Sequence, residues 1–110
     1  MKYLILLTSL AVSTPSAAAP TYLQCSFPES TAKVDITADE PNSSVTISLP
    51  STGYIEKVAA SFTPEEVRFE TRLLSYVVSR TDLTVKRNVP SLRRSETGKC
   101  ELVAAPKRAF

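Results

Sequence analysis

Few side chains in this sequence have the reach to do chemistry. Histidine is absent, which removes the Ser-His-Asp and Cys-His devices, imidazole general bases and the ordinary zinc sites. Two cysteines, Cys25 and Cys100, stand near opposite ends of the chain. Bonded to each other, they leave no thiolate nucleophile. The adjacent acids Glu65-Glu66 and Asp39-Glu40 raise the question of paired carboxylates or calcium. Neighbours on a strand point to opposite faces, however, and neither pair has a calcium-loop spacing. A turn or a solvated face is the better account of both.

What remains is a basic cluster: Arg80, Lys86, Arg87, Arg93 and Arg94, with Lys99 nearby. A guanidinium fork matches carboxylate and phosphate geometry, and Arg93-Arg94 fall in a polar stretch after Pro90. Arg80, Arg87, Arg93 and Arg94 are therefore the candidate anion- or partner-binding residues. The competing account is solubility and protection of strand edges. Ser30-Thr31-Ala32-Lys33 has the Ser-x-x-Lys spacing of penicillin-recognising enzymes but none of their companion motifs. No catalysis, no cofactor and no metal are expected.

The positioning elements begin with an export signal. Lys2 precedes the short apolar run Leu4–Val12, and small residues lead to Ser16-Ala17-Ala18-Ala19-Pro20. The run is too short to span a bilayer and has the layout of a signal peptide over residues 1–18, cut between Ala18 and Ala19. A cut one residue later would place Pro20 just beyond the scissile bond. Export to an oxidising compartment makes a Cys25–Cys100 disulfide the expected state. Such a bridge closes most of the mature chain and contributes about 4–5 kcal/mol in the chain-entropy account. It also brings the first and last ordered segments together, which favours a closed sheet.

Residues 19–110 suffice for one domain. Loss of Lys2 with the signal leaves twelve Lys and Arg against eleven Asp and Glu. A nearly neutral chain without an aromatic platform beside its arginines is a poor nucleic-acid binder. Phe110 is the kind of residue that ends outer-membrane barrels. Those need at least eight strands of about nine to eleven residues, so membrane insertion is not expected. Asn42-Ser43-Ser44 is a glycosylation sequon that matters only in a eukaryotic secretory pathway.

Gly53, Gly98 and eight prolines separate short apolar segments. Strands are expected over 33–37 and 44–49, where polar and apolar residues alternate with period two, over 21–27 with Tyr22 or Leu23 inward, and over 54–62 after the Pro50–Gly53 turn. Asp39 to Ser43 is a turn. The stretch 63–80 has two readings. Thr63-Pro64-Glu65-Glu66 has the form of a helix start, giving an α+β alternative with a helix at 64–79. Val67 with Phe69, and Leu74 with Tyr76 and Val78, alternate as two strands, and we prefer that reading. Further strands are expected at 82–87 and 98–103, with a polar loop between them at 88–97. The outcome is a mainly β domain, an antiparallel meander closed as a barrel or sandwich, its terminal strands joined by the disulfide. No internal repeat is visible.

Tyr76-Val77-Val78-Ser79-Arg80, with Gly98-Lys99-Cys100 twenty residues later, resembles the ending of many uncharacterised small exported proteins of bacteria and their phages. These share a signal peptide, an early cysteine, a Tyr-x-apolar-x-Arg strand and a closing Gly-x-Cys. Ser79 and Asp82 stand where such proteins often carry Asp or Asn and then Gly. The resemblance implies a disulfide-closed β-domain. In size, export and β-content the chain is also similar to periplasmic lysozyme inhibitors of the membrane-bound c-type class, although their motifs do not align here. The expected role is a non-enzymatic binding module in the periplasm or outside the cell, recognising a protein or an anionic envelope component. The alternative is a structural or assembly component of the envelope.

Overall fold

The computed structural model describes residues 19–105. The signal peptide expected over residues 1–18 lies outside the described residues, as do residues 106–110. Eight strands follow in order: β1 (Thr21–Ser26), β2 (Val34–Asp39), β3 (Ser44–Leu49), β4 (Tyr54–Phe62), β5 (Glu66–Glu70), β6 (Ser75–Ser79), β7 (Thr84–Val89) and β8 (Arg94–Leu102). Each pairs antiparallel with the next, and β8 returns to β1 to close a barrel. Of the two architectures expected, the barrel is formed.

Alternation explains most of the core. Val34 and Ile36, Val45 and Ile47, Val67 and Phe69, and Tyr76 and Val78 are all buried. Their intervening neighbours face outward, as period-two geometry requires. The same alternation decides residues 64–79. A helix would have turned Phe69 and Tyr76 toward its polar side, whereas on β5 and β6 both face inward and stack with ring centroids 4.9 Å apart. Cys25 and Cys100 are register partners on β1 and β8 and form the expected disulfide. That bond is compatible with an exported protein.

One local expectation fails. Residues 88–97 are not a loop: Asn88 and Val89 complete β7, Pro90–Leu92 form a single 3-10 turn, and β8 begins at Arg94. The first half of β8 escaped recognition because two of its positions on the inward-facing register, Arg94 and Glu96, are charged. Glu96 is matched by Arg87 inside the barrel mouth, and Arg94 pairs with Glu29 and Glu96 at its exposed rim.

The barrel also contains a repeat. Its described residues with positive φ are Ser43 (49°), Gly53 (79°), Leu83 (62°) and Arg93 (51°), so Ser43 and Leu83, and Gly53 and Arg93, stand forty residues apart. The equivalence extends to hydrogen bonds. The Ala60 N–H donates to the Ser43 carbonyl and the Cys100 N–H to the Leu83 carbonyl, both at 2.8 Å. Register agrees, since Ile47 faces Glu56 and Leu49 faces Tyr54 on β3–β4, while Arg87 faces Glu96 and Val89 faces Arg94 on β7–β8. Ala60 then meets Phe69 of β5 as Cys100 meets Cys25 of β1. Val45 and Val85, Pro50 and Pro90, Ser51 and Ser91, and Glu56 and Glu96 are the identities that the shared geometry preserves. β1–β4 and β5–β8 are two versions of one meander.

Candidate functional site

Strand direction divides the connections between two ends. The tail end holds the start of β1, the end of β8 and the β2–β3, β4–β5 and β6–β7 turns. The loop end holds the other four connections. Arg80 follows β6 and so lies at the tail end, away from Arg87, Arg93 and Arg94. There its Nη2 donates to Glu40 Oε1 at 2.8 Å and its Nη1 to the Thr63 carbonyl at 2.8 Å. Its guanidinium carbon stands 5.8 Å from the centre of the Phe62 ring. Hydrogen bonding by Arg80 holds the Glu40 carboxyl below its ordinary range, and Glu40 in turn raises Arg80. The pair flanks a cavity of about 220 Å³ lined mainly by apolar side chains, among them Leu23, Val67, Val78 and Leu83. Arg80 is a clamp that ties three turns together.

The other three arginines gather at the loop end, each in a different state. Arg87 turns inward on β7, where its Nε donates to Glu96 Oε1 at 2.7 Å and its guanidinium carbon lies 3.9 Å from the centre of the Phe27 ring. The side chains of Arg87 and Glu96 are only 16% and 19% exposed, so this pair belongs to the structure of the mouth. Burial raises the Tyr76 phenol, and a hydrogen bond with Arg87 partly offsets that rise. Arg94 donates to Glu29 Oε1 at 3.2 Å and lies 3.8 Å from Glu96 Oε2. Arg93 is exposed and has no ion-pair partner among the described residues. Its left-handed backbone closes the 3-10 turn, where its N–H donates to the Pro90 carbonyl. Grouping by sequence therefore joined residues from opposite ends.

Other residues at the loop end were missed. Leu73 is 73% exposed, Ile55 68% and Leu92 62%. Arg72 is exposed beside Leu73 and also lacks an ion-pair partner among the described residues. Between β4 and the β5–β6 turn opens a groove of about 360 Å³, lined by Ile47, Leu49, Tyr54, Leu73, Leu74 and Tyr76, with Thr71 and Arg72 at its edge. The Tyr54 hydroxyl donates to Glu56 at the same mouth, which raises the phenol above its ordinary range. Nothing in one-dimensional spacing marks this groove, because it arises from where strand pairing stops.

No cluster of three or more acidic, Cys or His side chains suited to a metal occurs among the described residues. None of their helices is long and apolar enough to cross a membrane. The groups brought together at the loop end can present apolar surface and positive charge to a partner. A comparison of the chain with protein families, curated proteins and solved structures gave no match.

Proposed function

We propose that the protein is a non-enzymatic binding module, exported to the periplasm or the cell exterior, that recognises a protein or an anionic envelope component through its loop end. The observation supporting this is that exposed Leu73 and Leu92 stand there beside Arg72 and Arg93, cations without an ion-pair partner among the described residues. Large apolar side chains beside arginine are the composition of binding hot spots. A solubilising surface has no use for the leucines. Of the arginines expected to bind, Arg93 makes the contact, Arg94 shares its charge with Glu29, Arg87 shapes the mouth from inside, and Arg80 braces the far end.

Capture of partners from envelope extract by the tagged, oxidised protein tests this reading. Arg93→Gly is a clean variant, because Gly53 already occupies the equivalent left-handed position and glycine pays no steric penalty there. Combined with Leu92→Ser, it is expected to abolish capture while the thermal midpoint stays within a few degrees. Undiminished capture by the folded double variant refutes the loop-end assignment. A structural or assembly role is the second reading, favoured by the incomplete pairing of β4. A mass that grows with concentration in sedimentation would select it.

A further inference from the structure

We propose that the loop end docks on the surface of an anionic phospholipid bilayer, with Leu73 and Leu92 entering the headgroup layer and Arg72 and Arg93 meeting its phosphates. The proposal rests on the binding-module reading and names the anionic component that is recognised. The domain lies on the bilayer and does not cross it.

The first argument is the division of charge between the two ends. The tail-end turns 40–43, 63–65 and 80–83 carry Glu40, Glu65 and Asp82 against Arg80 alone. The loop-end connections 27–33, 50–53, 71–74 and 90–93 carry Lys33, Arg72 and Arg93 against Glu29 alone. Glu29 is held by Arg94, and behind it Glu96 is held by Arg87. Lys33, Arg72 and Arg93 have no ion-pair partner among the described residues. The other acids near this end, Glu56 and Glu70, lie on strands rather than on the turns. The barrel is therefore charged along its axis, and an anionic surface attracts the loop end while repelling the tail end.

The second argument is where the apolar side chains stand. The last β6–β7 pair is Ser75 with Asn88, so the turns 71–74 and 90–93 sit side by side, two strand spacings or about 10 Å apart. Each places an arginine next to a leucine, as Arg72-Leu73 and Leu92-Arg93. Leu73 and Leu92 are among the most exposed large apolar residues, and neither lies in a strand where a neighbour would cover it. Tyr54, also exposed at this end, adds an amphipathic ring of the kind that favours a membrane interface. A protein partner would need pockets shaped for two leucines on separate turns. A fluid lipid layer accepts them anywhere, and its phosphates suit the flanking guanidiniums.

The probe is a sucrose-loaded vesicle of phosphatidylethanolamine and phosphatidylglycerol, read by co-sedimentation of the oxidised protein purified after export. Phosphatidylcholine vesicles are the neutral reference. Binding to the anionic vesicle is expected to exceed the reference about a hundredfold, near fivefold for each of the three cations, and to weaken as salt is added. Arg72→Gln with Arg93→Asn should cost about 25-fold. Lys57→Gln with Lys86→Gln removes the same charge from the barrel wall and should leave binding unchanged. The chain has no tryptophan, so Leu73→Trp supplies a lone indole whose emission should shift to the blue on the anionic vesicle. Absence of binding, equal binding to both vesicles, equal loss from wall and loop-end cations, or an unmoved indole in the sedimented complex overturns the proposal. If the protein ignores vesicles yet captures an envelope protein, and folded Leu92→Ser/Arg93→Gly loses it, the lipid surface is refuted and the binding module stands. Failure of vesicle binding and envelope capture together sinks both.

Discussion

The seams β8–β1 and β4–β5 occupy equivalent places in the two halves of the barrel and have been finished differently. At β8–β1 a disulfide ties two paired residues, and above the last pair, Ser26 with Lys99, a buried phenylalanine and the Arg94–Glu29 ion pair close the gap. At β4–β5 the gap above Ala60 and Phe69 holds a threonine and an apolar groove. A difference of a few side chains on one scaffold separates a wall from an opening. It teaches that closure of a sheet in topology does not imply closure in space, and that an open seam is where a partner finds both backbone groups and apolar surface.

The comparison can be broken most severely at the staple. Replacing Cys25 and Cys100 by alanine is expected to cost about 4 kcal/mol, mainly through the freedom restored to the unfolded chain. Urea unfolding of the two forms measures it. The closed seam should then become the less stable of the two, which hydrogen exchange on β1 and β8 would register. Gly98→Val imports the residue of the open seam, Val58, into the closed one. A Cβ there stands 2.4 Å from the Ser26 carbonyl oxygen and 2.7 Å from the Phe27 ring, so Phe27 must leave, at about 2–3 kcal/mol. Equal stability of the variant would show that the two seams are packed alike after all.

Arg87→Ile makes a milder exchange, since Ile47 is its equivalent. It leaves Glu96 only Arg94, 3.8 Å away, as a cation, and we expect a loss of about 1–2 kcal/mol, reduced from the fully buried case because the pair keeps some water. Pairing it with Glu96→Gln should recover part of that loss, a double-mutant cycle being the measurement. The smallest effect concerns acid. Asp82 accepts hydrogen bonds from the Thr84 side chain and backbone, which lower its pKa to about 2. A carboxyl with a folded value below its unfolded one stabilises the fold above the unfolded value and loses that contribution as pH falls through the folded value. The β6–β7 turn at the tail end should therefore loosen between about pH 4 and 2, with the loop-end groove unaffected. Chemical shifts of Asp82 and Leu74 followed through an acid titration would separate the two regions.

Much of the fold was legible because alternation and turn chemistry agreed. Ser44–Leu49 and Tyr54–Phe62 could be bounded to the residue, and the two-strand reading of 64–79 followed from where Phe69 and Tyr76 would point. The first half of β8 was not, because Arg94 and Glu96 occupy inward positions beside polar Ser95 and Thr97, and a strand polar on both faces has no readable period. The repeat was hidden by its few identities. Val45 with Pro50-Ser51 and Glu56 matches Val85 with Pro90-Ser91 and Glu96 at the same spacing, and that was the available signal. Its remaining positions share only polarity, which any strand shares. The arginine cluster misled because distance along the chain says nothing of strand direction: Arg80 precedes β7 at the tail end, whereas Arg93 and Arg94 follow it at the loop end.

The position of the disulfide has a mechanical consequence. Force applied through the start of β1 and the end of β8, both at the tail end, enters along β1, crosses the Cys25–Cys100 bond and leaves along β8. Before the bond that path crosses a short zipper, Leu23 with Leu102, Gln24 with Glu101 and the Val103 N–H on the Tyr22 carbonyl, together with the pairing of Thr21–Gln24 to β2. Everything from Ser26 to Lys99, the loop end included, is sheltered from the load. Held by its ends in a moving or strained surface, the oxidised domain would yield by opening that zipper and stop there, keeping its grip on a partner, whereas the reduced domain would unravel strand by strand.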